Sequence, residues 1–305
     1  MPKTWMNGEL IDDVDARVGV GDAGLLHAAG VFTTMRASGG RVFRLDEHLA
    51  RLRSSSQALY IPLPFDDAAL RQATNDLLSA NDLQEARLRL TVTRGHSEVD
   101  PLHGEVHRST VFLTAAPLSP YPAEFYEKGL IALLNSEQKL NPYDVQAGHK
   151  TLNYFSRFAA LREAARRGAG ESLWFNVHNL LQSGSISNVF IVENGPTPQL
   201  VTPPTNADLE EEAVKRSCPY PKSNVLPGIV RGWVMEHAKR DGLSVQRLPI
   251  DVNRLLAAGE VFVTNSVMGV MPVTRLEQKA IGDGTPGPVT RRLIDRFASE
   301  IGGDA

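Results

Sequence analysis

The stretch Gly148-His149-Lys150-Thr151-Leu152-Asn153-Tyr154 decides how this chain is interpreted, because it sets a lysine between a loop and a helix. The pair Asn141-Pro142 indicates the loop. Apolar and small residues at helical spacing predict a helix from Leu152 to Arg167. A lysine at such a junction can point into a cleft, where desolvation favours the neutral amine and makes it a nucleophile for an aldehyde. The alternative is a solvated surface lysine, the usual state of this residue type.

Further short motifs follow the lysine in a fixed order along the chain. They are Ser187-Asn188-Val189-Phe190, Leu226-Pro227-Gly228-Ile229-Val230-Arg231, Glu260-Val261-Phe262-Val263-Thr264-Asn265-Ser266 and Met271-Pro272-Val273. With Lys150-Thr151-Leu152-Asn153-Tyr154 they resemble the class IV aminotransferases. That family is fold type IV of the pyridoxal-phosphate enzymes and includes branched-chain and D-amino acid aminotransferases and aminodeoxychorismate lyase. The resemblance implies that pyridoxal 5'-phosphate is the cofactor and that Lys150 is its Schiff-base lysine.

The same resemblance implies an α+β fold with two domains. Residues 1–120 would form a smaller N-terminal α/β sandwich. Residues 121–305 would form a larger domain with a barrel-like β core and outer helices, and this domain would carry Lys150. The proline-rich segment from Ala116 to Pro122 is the candidate linker. Periodicity alone indicates only a mixture of helices and strands.

Composition narrows the possible functions. The 305 residues are 42% hydrophobic and 22% charged, as in an ordinary soluble enzyme. A net charge of −3 offers no basic surface for nucleic acid. Cys218 is the only cysteine, so an internal disulfide is impossible and a cysteine zinc site is not expected. The polar segment Gly95 to Arg108 predicts a loop, and its three histidines match no metal-ligand spacing. No signal peptide or membrane span is indicated, which predicts a cytoplasmic protein.

Arg51 is the first candidate for the cofactor phosphate. It lies in a predicted helix with Leu49 and Leu52, one turn after Glu47. Periodicity alone is compatible with a surface pair between Arg51 and Glu47. The pattern His48-Leu49-Ala50-Arg51-Leu52 resembles the family's phosphate-binding arginine motif. A guanidinium fork suits a phosphate geometrically, which favours phosphate binding.

Two turns of the second half supply further candidates for the phosphate. Pro227-Gly228 opens a helix whose first free amides and dipole favour an anion. By resemblance those amides belong to Ile229 and Val230. Ser266 and Val267 match the second phosphate-binding turn of the family, where Ser266 offers both a hydroxyl and an amide.

The chain departs from the family at one position. Family members have a glutamate that pairs with the protonated pyridine nitrogen and makes the ring an electron sink. Aligned without gaps, this position falls on Ser183, and a one-residue slip would place Gln182 there. Neither side chain is charged, so neither can hold a proton on that nitrogen electrostatically. Ordinary fast transamination is therefore not the first expectation.

Two stretches indicate the lyase. Gly30-Val31-Phe32-Thr33-Thr34-Met35-Arg36 and Asn265-Ser266-Val267-Met268-Gly269-Val270-Met271-Pro272-Val273 resemble the corresponding segments of aminodeoxychorismate lyase. Thr33, Arg94 and Asn265 are the substrate candidates. The first hypothesis is thus a lyase that converts 4-amino-4-deoxychorismate to 4-aminobenzoate and pyruvate. The alternatives are a branched-chain or D-amino acid transaminase and a cofactor-binding protein of low turnover. The substrate would be a small amino acid or amino-chorismate, and the family implies a homodimer with no nucleic-acid or membrane partner.

Overall fold

The computed structural model describes residues 1–100, 104–135, 137–216 and 222–302. Its internal contacts divide the chain into two compact units. The first unit consists mainly of Met1–Ser119 and His149–Tyr154, and the second mainly of Pro120–Gly148 and Phe155–Glu300. Lys150 therefore groups with the first unit, whereas the sequence analysis expected it in the C-terminal domain. No helix within these described ranges is long and apolar enough to cross a membrane.

The first unit is a sheet covered by helices on one face. In chain order its elements are β1 (Lys3–Met6), β2 (Glu9–Asp12), α1 (Ala23–His27), β3 (Gly30–Ser38), β4 (Arg41–Val42), α2 (Leu45–Ala58), α3 (Asp67–Ala80), β5 (Ala86–Thr93), β6 (His96–Asp100), β7 (Gly104–Arg108) and β8 (Val111–Pro117). Six strands form a sheet in the order β2-β1-β8-β5-β3-β4. Leucines spaced along α2 and α3 face this sheet, and Leu49, Leu70 and Leu77 pack with Met35 and Leu88 in one core.

One prediction about the first unit is wrong. The polar segment Gly95 to Arg108 contains the antiparallel hairpin β6–β7, in which His96 pairs with Arg108, instead of a loop. Backbone hydrogen bonds between the two strands hold such a hairpin together. Because they do not depend on the side chains, composition alone does not reveal the hairpin. His103 lies outside the described residues.

The second unit is built on a larger mixed sheet. Its elements are α4 (Ala123–Lys128), β9 (Leu130–Leu134), α5 (Phe155–Arg166), β10 (Glu171–Phe175), β11 (Leu181–Gly184), β12 (Asn188–Glu193), β13 (Gln199–Thr202), α6 (Asn206–Arg216), α7 (Ile229–Arg240), β14 (Ser244–Arg247), α8 (Val252–Leu256), β15 (Glu260–Asn265), β16 (Gly269–Leu276), β17 (Lys279–Ala280) and α9 (Pro288–Gly302). The strand order is β11-β10-β9-β16-β15-β12-β13-β14, with β17 beside β16. Strands β10, β12, β15 and β16 are buried along almost their whole length, so both of their faces are covered.

Candidate functional site

The lysine segment is held as an added strand at the edge of β3. Thr151 forms an antiparallel bridge with Val31. The amide of Phe32 donates to the carbonyl of Lys150 at 2.9 Å. Strand β4 pairs only with the far end of β3, so this end of the strand is open to the lysine segment. Backbone pairing therefore fixes the point from which the Lys150 side chain leaves the sheet.

The helix after the lysine begins later than predicted. The amide of Leu152 donates to the carbonyl of Gly30 at 2.9 Å, so it belongs to the strand pairing, and the helix begins only at Phe155. A Cβ on Gly30 would lie 2.5 Å from Leu152 Cδ1 and 2.8 Å from the carbonyl oxygen of Val92. Glycine at this position is thus what lets the lysine segment approach β3.

The Lys150 amine lies among aromatic and cationic side chains. Its Nζ is 3.1 Å from the hydroxyl of Tyr154 and 4.7 Å from the centroid of the Phe32 ring. The guanidinium carbon of Arg89 lies 3.5 Å from the same centroid. The sequence analysis did not identify Tyr154, Phe32 or Arg89 as site residues. Their signals were weak, since Tyr154 was assigned to the predicted helix and an arginine on one face of a strand is an ordinary pattern.

Arg51 is oriented by a buried hydroxyl. Its Nη2 donates to Thr33 Oγ1 at 2.9 Å, and Thr33 Oγ1 lies 2.7 Å from His48 Nδ1. Burial lowers the pKa of the Arg51 guanidinium to about 10, and Tyr154 acts in the opposite direction. Burial, and then the charges of Arg51 and Lys150, lower the pKa of His48 well below its usual value. We call this chain of three groups, Arg51, Thr33 and His48, the Arg51 relay.

The relay bears on two predictions. Thr33 is completely buried and accepts from Arg51, so it lies behind the arginine and not at an open surface. Glu47 Oε1 accepts from Arg44 at 3.0 Å, so this carboxylate has a partner other than Arg51. Arg94, the second substrate candidate of the first half, follows β5 and is half-buried, and its amide donates to the carbonyl of Ala29.

The start of α7 has the features of an anion site. Ile229 and Val230 are its first residues, and the preceding Gly228 provides no side-chain cap. The first amides of a helix have no partner within the helix. A Cβ on Gly228 would lie 2.0 Å from Asn188 Oδ1, and Asn188 Nδ2 donates to the carbonyl of Leu226 at 2.9 Å. Asn188 therefore holds the turn closed while the amides of Ile229 and Val230 remain available to an anion.

The turn after β15 is shaped by Asn265. Its Oδ1 accepts from the amides of Val267 and Met268, both at 2.9 Å. The Asn265 side-chain oxygen thus stabilises its own turn, which argues against the predicted substrate contact, and the Val267 amide already has a partner. Ser266 is half-buried at this turn, and β15 packs against α7.

Ser183 and Gln182 lie on opposite faces of β11, as alternation along a strand requires. Gln182 Oε1 accepts from the amide of Asn224 at 2.9 Å and from Ser223 Oγ at 3.2 Å. Ser183 stands opposite Trp174 in the antiparallel pair with β10. Because Gln182 is engaged by Ser223 and Asn224, the geometry supports the gap-free alignment on Ser183.

Ser183 has an arginine as its partner. Nη1 of Arg157, on α5, lies 3.2 Å from Ser183 Oγ, 2.9 Å from the carbonyl of Gly184 and 3.2 Å from the carbonyl of Ser185. The guanidinium carbon lies 5.6 Å from the centroid of the Trp174 ring. No sequence pattern singled out Arg157, because a polar residue in an amphipathic helix is the ordinary pattern.

A buried carboxylate organises the loop after Ser183. Glu171 Oε1 accepts from the amide of Ser185 at 2.8 Å, and Oε2 accepts from Ser187 Oγ at 2.6 Å. Burial raises the pKa of Glu171, while these hydrogen bonds lower it. Both oxygens of Glu171 hold the loop, so this residue does not replace the glutamate that is missing at position 183.

Comparison with known proteins identifies the family. The family model described as amino-transferase class IV matches residues 30–276. A putative branched-chain-amino-acid aminotransferase of Methanocaldococcus jannaschii is 31% identical over 296 residues, 97% of this chain and 95% of the relative. The structure of the Escherichia coli branched-chain amino acid aminotransferase aligns with a TM-score of 0.86 at 28% identity, over 100% of this chain and 96% of that one. This match confirms the α+β fold with a curled half-barrel sheet and helices.

This chain is also similar to a lyase of known structure, but that similarity shows only a shared fold. The structure of a putative 4-amino-4-deoxychorismate lyase from Legionella pneumophila aligns with a TM-score of 0.78 at 21% identity, over 95% of this chain and 97% of that one. The relatives named as aminotransferases are more similar in sequence and in fold. The chain belongs to the class IV aminotransferases, a family of enzymes that depend on pyridoxal 5'-phosphate.

Proposed function

We propose that the chain is a transaminase of branched or small amino acids that binds pyridoxal 5'-phosphate through Lys150. The observation that carries the proposal is the fixed position of the Lys150 amine, 3.1 Å from the Tyr154 hydroxyl at the edge of β3. The similarity to branched-chain aminotransferases over nearly the whole chain supports this reaction.

The residues fit the cofactor by their chemistry. Lys150 supplies the primary amine that an aldehyde requires. In the first unit, the guanidinium of Arg51 suits a phosphate. In the second unit, the first amides of α7, those of Ile229 and Val230, favour an anion. Asn188 keeps the α7 turn in a shape that only glycine at position 228 permits. When bound, the cofactor would supply an electrophilic carbon and a conjugated ring.

The chain's own groups would handle the proton and the charges of the substrate. Lys150 Nζ, when it is not bonded to the cofactor, is a base that can take a proton from the substrate α-carbon. Tyr154 Oη lies within hydrogen-bonding distance of that nitrogen and can share the proton. Arg89, stacked on Phe32, adds a positive charge that favours an anionic substrate.

The same observations favour transamination over the lyase reaction. Two stretches indicated the lyase, and each contained one substrate candidate. Thr33 in the first stretch is buried behind Arg51. Asn265 in the second uses its side-chain oxygen for its own turn. Both candidates are thus engaged within the protein, which favours the aminotransferase reaction over the lyase reaction.

The test is a stopped-flow absorbance measurement of the purified protein with the cofactor. We expect branched or small amino acids, offered as separate L and D panels, to convert the cofactor to its amine form and to yield the matching oxo acid. Conversion of 4-amino-4-deoxychorismate to 4-aminobenzoate, without reaction of any amino acid, would establish the lyase and overturn this proposal.

A second measurement tests the lysine. Borohydride reduction followed by peptide mapping should find the pyridoxyl group on Lys150. Lys139→Ala is the matched control, since Lys139 is exposed, and it should label as the parent does. A label on another lysine would overturn the assignment of Lys150.

We also propose that the active form is a homodimer, as the family implies. The exposed side chains of Leu25 and Leu26, 62% and 58% accessible, offer an apolar surface that a partner subunit would cover. Sedimentation at micromolar concentration should show a dimer, and an active monomer would contradict the proposal.

A further inference from the structure

We propose that His149 is a positioning residue, whose hydrogen bond to α2 fixes how far the amine of Lys150 lies from the guanidinium of Arg51. This inference rests on the proposed function, because it takes Lys150 as the residue that reacts with the cofactor's aldehyde and Arg51 as a residue that binds its phosphate. His149 itself would contact neither the cofactor nor the substrate.

The first observation is a direct bond between the lysine segment and α2. His149 Nδ1 lies 3.0 Å from the hydroxyl oxygen of Ser55, which is buried on this helix. The two residues are 94 positions apart, and both belong to the first unit. Burial lowers the pKa of the half-buried His149 ring, so the ring is neutral at neutral pH and brings no charge to the segment.

His149 and Lys150 leave the segment towards opposite faces of β3. Leucines of α2 pack with Val31 in the core on the helix-covered face. The amine of Lys150 instead lies 4.7 Å from the ring of Phe32, the next residue of β3, whose side chain points to the other face. The His149 contact is therefore made on the side that the amine does not occupy, so it can orient the segment without taking part in the chemistry.

This contact supplies what strand pairing alone does not. On the β3 side, the amide of Phe32 donates to the carbonyl of Lys150, and the amide of Leu152 donates to the carbonyl of Gly30, both at 2.9 Å. Neighbouring strands pair at twist angles from about 10° to 35°, so backbone bonds along one edge leave the direction of the segment variable. The bond from His149 to Ser55 adds a fixed point outside the sheet, which selects one direction.

The helix that receives this bond also carries the candidate phosphate ligand. Arg51 precedes Ser55 by four residues, so the two lie one turn apart on the same face of α2. Burial, and then the charges of Arg51 and Lys150, lower the pKa of His48, which places both charges near one buried ring. The His149 bond therefore joins the segment that carries the amine to the helix that carries the guanidinium, one turn from the guanidinium itself.

The distance matters because the cofactor is a rigid ligand. Pyridoxal 5'-phosphate carries its aldehyde and its phosphate on one aromatic ring, which fixes their separation. When the amine and the guanidinium are presented at the matching separation, the second contact forms within an already bound molecule and costs little additional entropy. A change in that separation leaves each contact possible alone but weakens the two together.

The test compares three ligands on the whole chain, freed of cofactor. They are pyridoxal 5'-phosphate, pyridoxal, which has the aldehyde without the phosphate, and inorganic phosphate. His149→Phe keeps an aromatic ring but removes the hydrogen bond. It should weaken the affinity for pyridoxal 5'-phosphate by about fivefold in absorbance titration, the size expected for one neutral hydrogen bond. The affinities for pyridoxal, by the same titration, and for phosphate, by calorimetry, should stay as in the parent.

Further variants separate positioning from a general loss of structure. His149→Asn, whose side-chain amide can take the place of Nδ1, should recover most of the affinity for pyridoxal 5'-phosphate. Ser55→Ala should repeat the loss, and the double variant His149→Phe/Ser55→Ala should lose no more than either single variant, because one bond is removed in each case. Ser54→Ala, an exposed neighbour on α2, is the control and should bind as the parent does.

The outcomes separate this inference from the proposed function. Equal weakening of all three ligands by His149→Phe would overturn the inference, since His149 would then only support the fold. Parent-like affinity for pyridoxal 5'-phosphate in both His149→Phe and Ser55→Ala would also overturn it, while borohydride labelling of Lys150 would leave the proposed function in place. If the label is found on another lysine, the proposed function and the inference both fail.

Discussion

The Arg51 relay and the Arg157–Ser183 pair are two versions of one arrangement that differ in how they are held. In the first, Thr33 lies on β3, and the strand is paired on both sides, by β5 and by the lysine segment. In the second, Arg157 comes from α5 and reaches the β11 region through side-chain and carbonyl contacts. Backbone pairing therefore fixes the first arrangement, whereas the contacts of the charged Arg157 side chain fix the second. Substitutions in the first should alter stability and cofactor retention, whereas those in the second should alter the side-chain contacts around β11.

The largest effect is expected from disturbing the backbone of the first arrangement. Gly30→Ala would set a Cβ against Leu152 Cδ1 and the carbonyl of Val92, and the carbonyl cannot move without breaking the sheet. We expect a loss of about 3 kcal/mol in the free energy of unfolding, measured in urea, and less cofactor bound. Gly19→Ala, which meets nothing within 4 Å, is the control. Equal stability of both variants would show that the lysine segment does not depend on Gly30.

Removing the guanidinium of Arg51 should lower the affinity for the cofactor more than it lowers the stability of the fold. Arg51→Ala removes a charge-assisted contact worth about 1.5–3 kcal/mol, so cofactor affinity should fall at least tenfold in equilibrium titration. Glu47→Ala is the matched control, because Glu47 pairs with Arg44. Small and equal losses from both variants would mean that Arg51 does not bind phosphate.

The hydroxyl of Thr33, which lies between Arg51 Nη2 and His48 Nδ1, tests how much the relay contributes to stability. Thr33→Val keeps the shape of the side chain but leaves Arg51 and His48 without their shared partner. We expect a loss of about 1–3 kcal/mol in unfolding free energy, since a buried polar group would be unpaired. Thr34→Val, the neighbouring half-buried position, should cost less. If the two threonine variants are equally stable, the relay does not contribute to the fold.

The two regions also differ in how much of each can be predicted from the sequence. Lys150, Arg51 and the α7 turn lie in short motifs, so their order along the chain was enough to propose them as site residues. The strand pairing of Thr151 with Val31 joins segments about 120 positions apart, and nothing local reveals it. Local periodicity instead predicted a helix from Leu152, which tertiary pairing delayed to Phe155.

The ring-nitrogen region could be predicted only in part. Alignment identified the missing glutamate at Ser183, because that position lies within a motif. The hydrogen-bond partner of Ser183, Arg157, lies 26 positions away on a different element. Its role depends on how α5 packs on β10, and no sequence pattern fixes the direction of one polar side chain on a helix surface.

A pH dependence of stability should follow from His48. Its pKa in the folded state is lowered by burial, Arg51 and Lys150, whereas in the unfolded state it is about 6.5. Between these two values the unfolded state binds more protons, so stability should fall as the pH drops below 6.5, by up to about 1.4 kcal/mol per unit. Urea unfolding of the parent and of His48→Asn isolates this effect by difference. Parallel curves for both proteins would contradict the prediction.

The smallest effect is expected from restoring the family's carboxylate alone. In Ser183→Glu the new carboxylate would meet the guanidinium of Arg157, which already reaches position 183, and the two charges would largely cancel. The absorbance spectrum and the half-reaction rate of the bound cofactor should therefore stay like those of Ser183→Gln, the uncharged control of equal size. A clear difference between these two variants in spectrum or rate would show that Arg157 does not neutralise the new carboxylate.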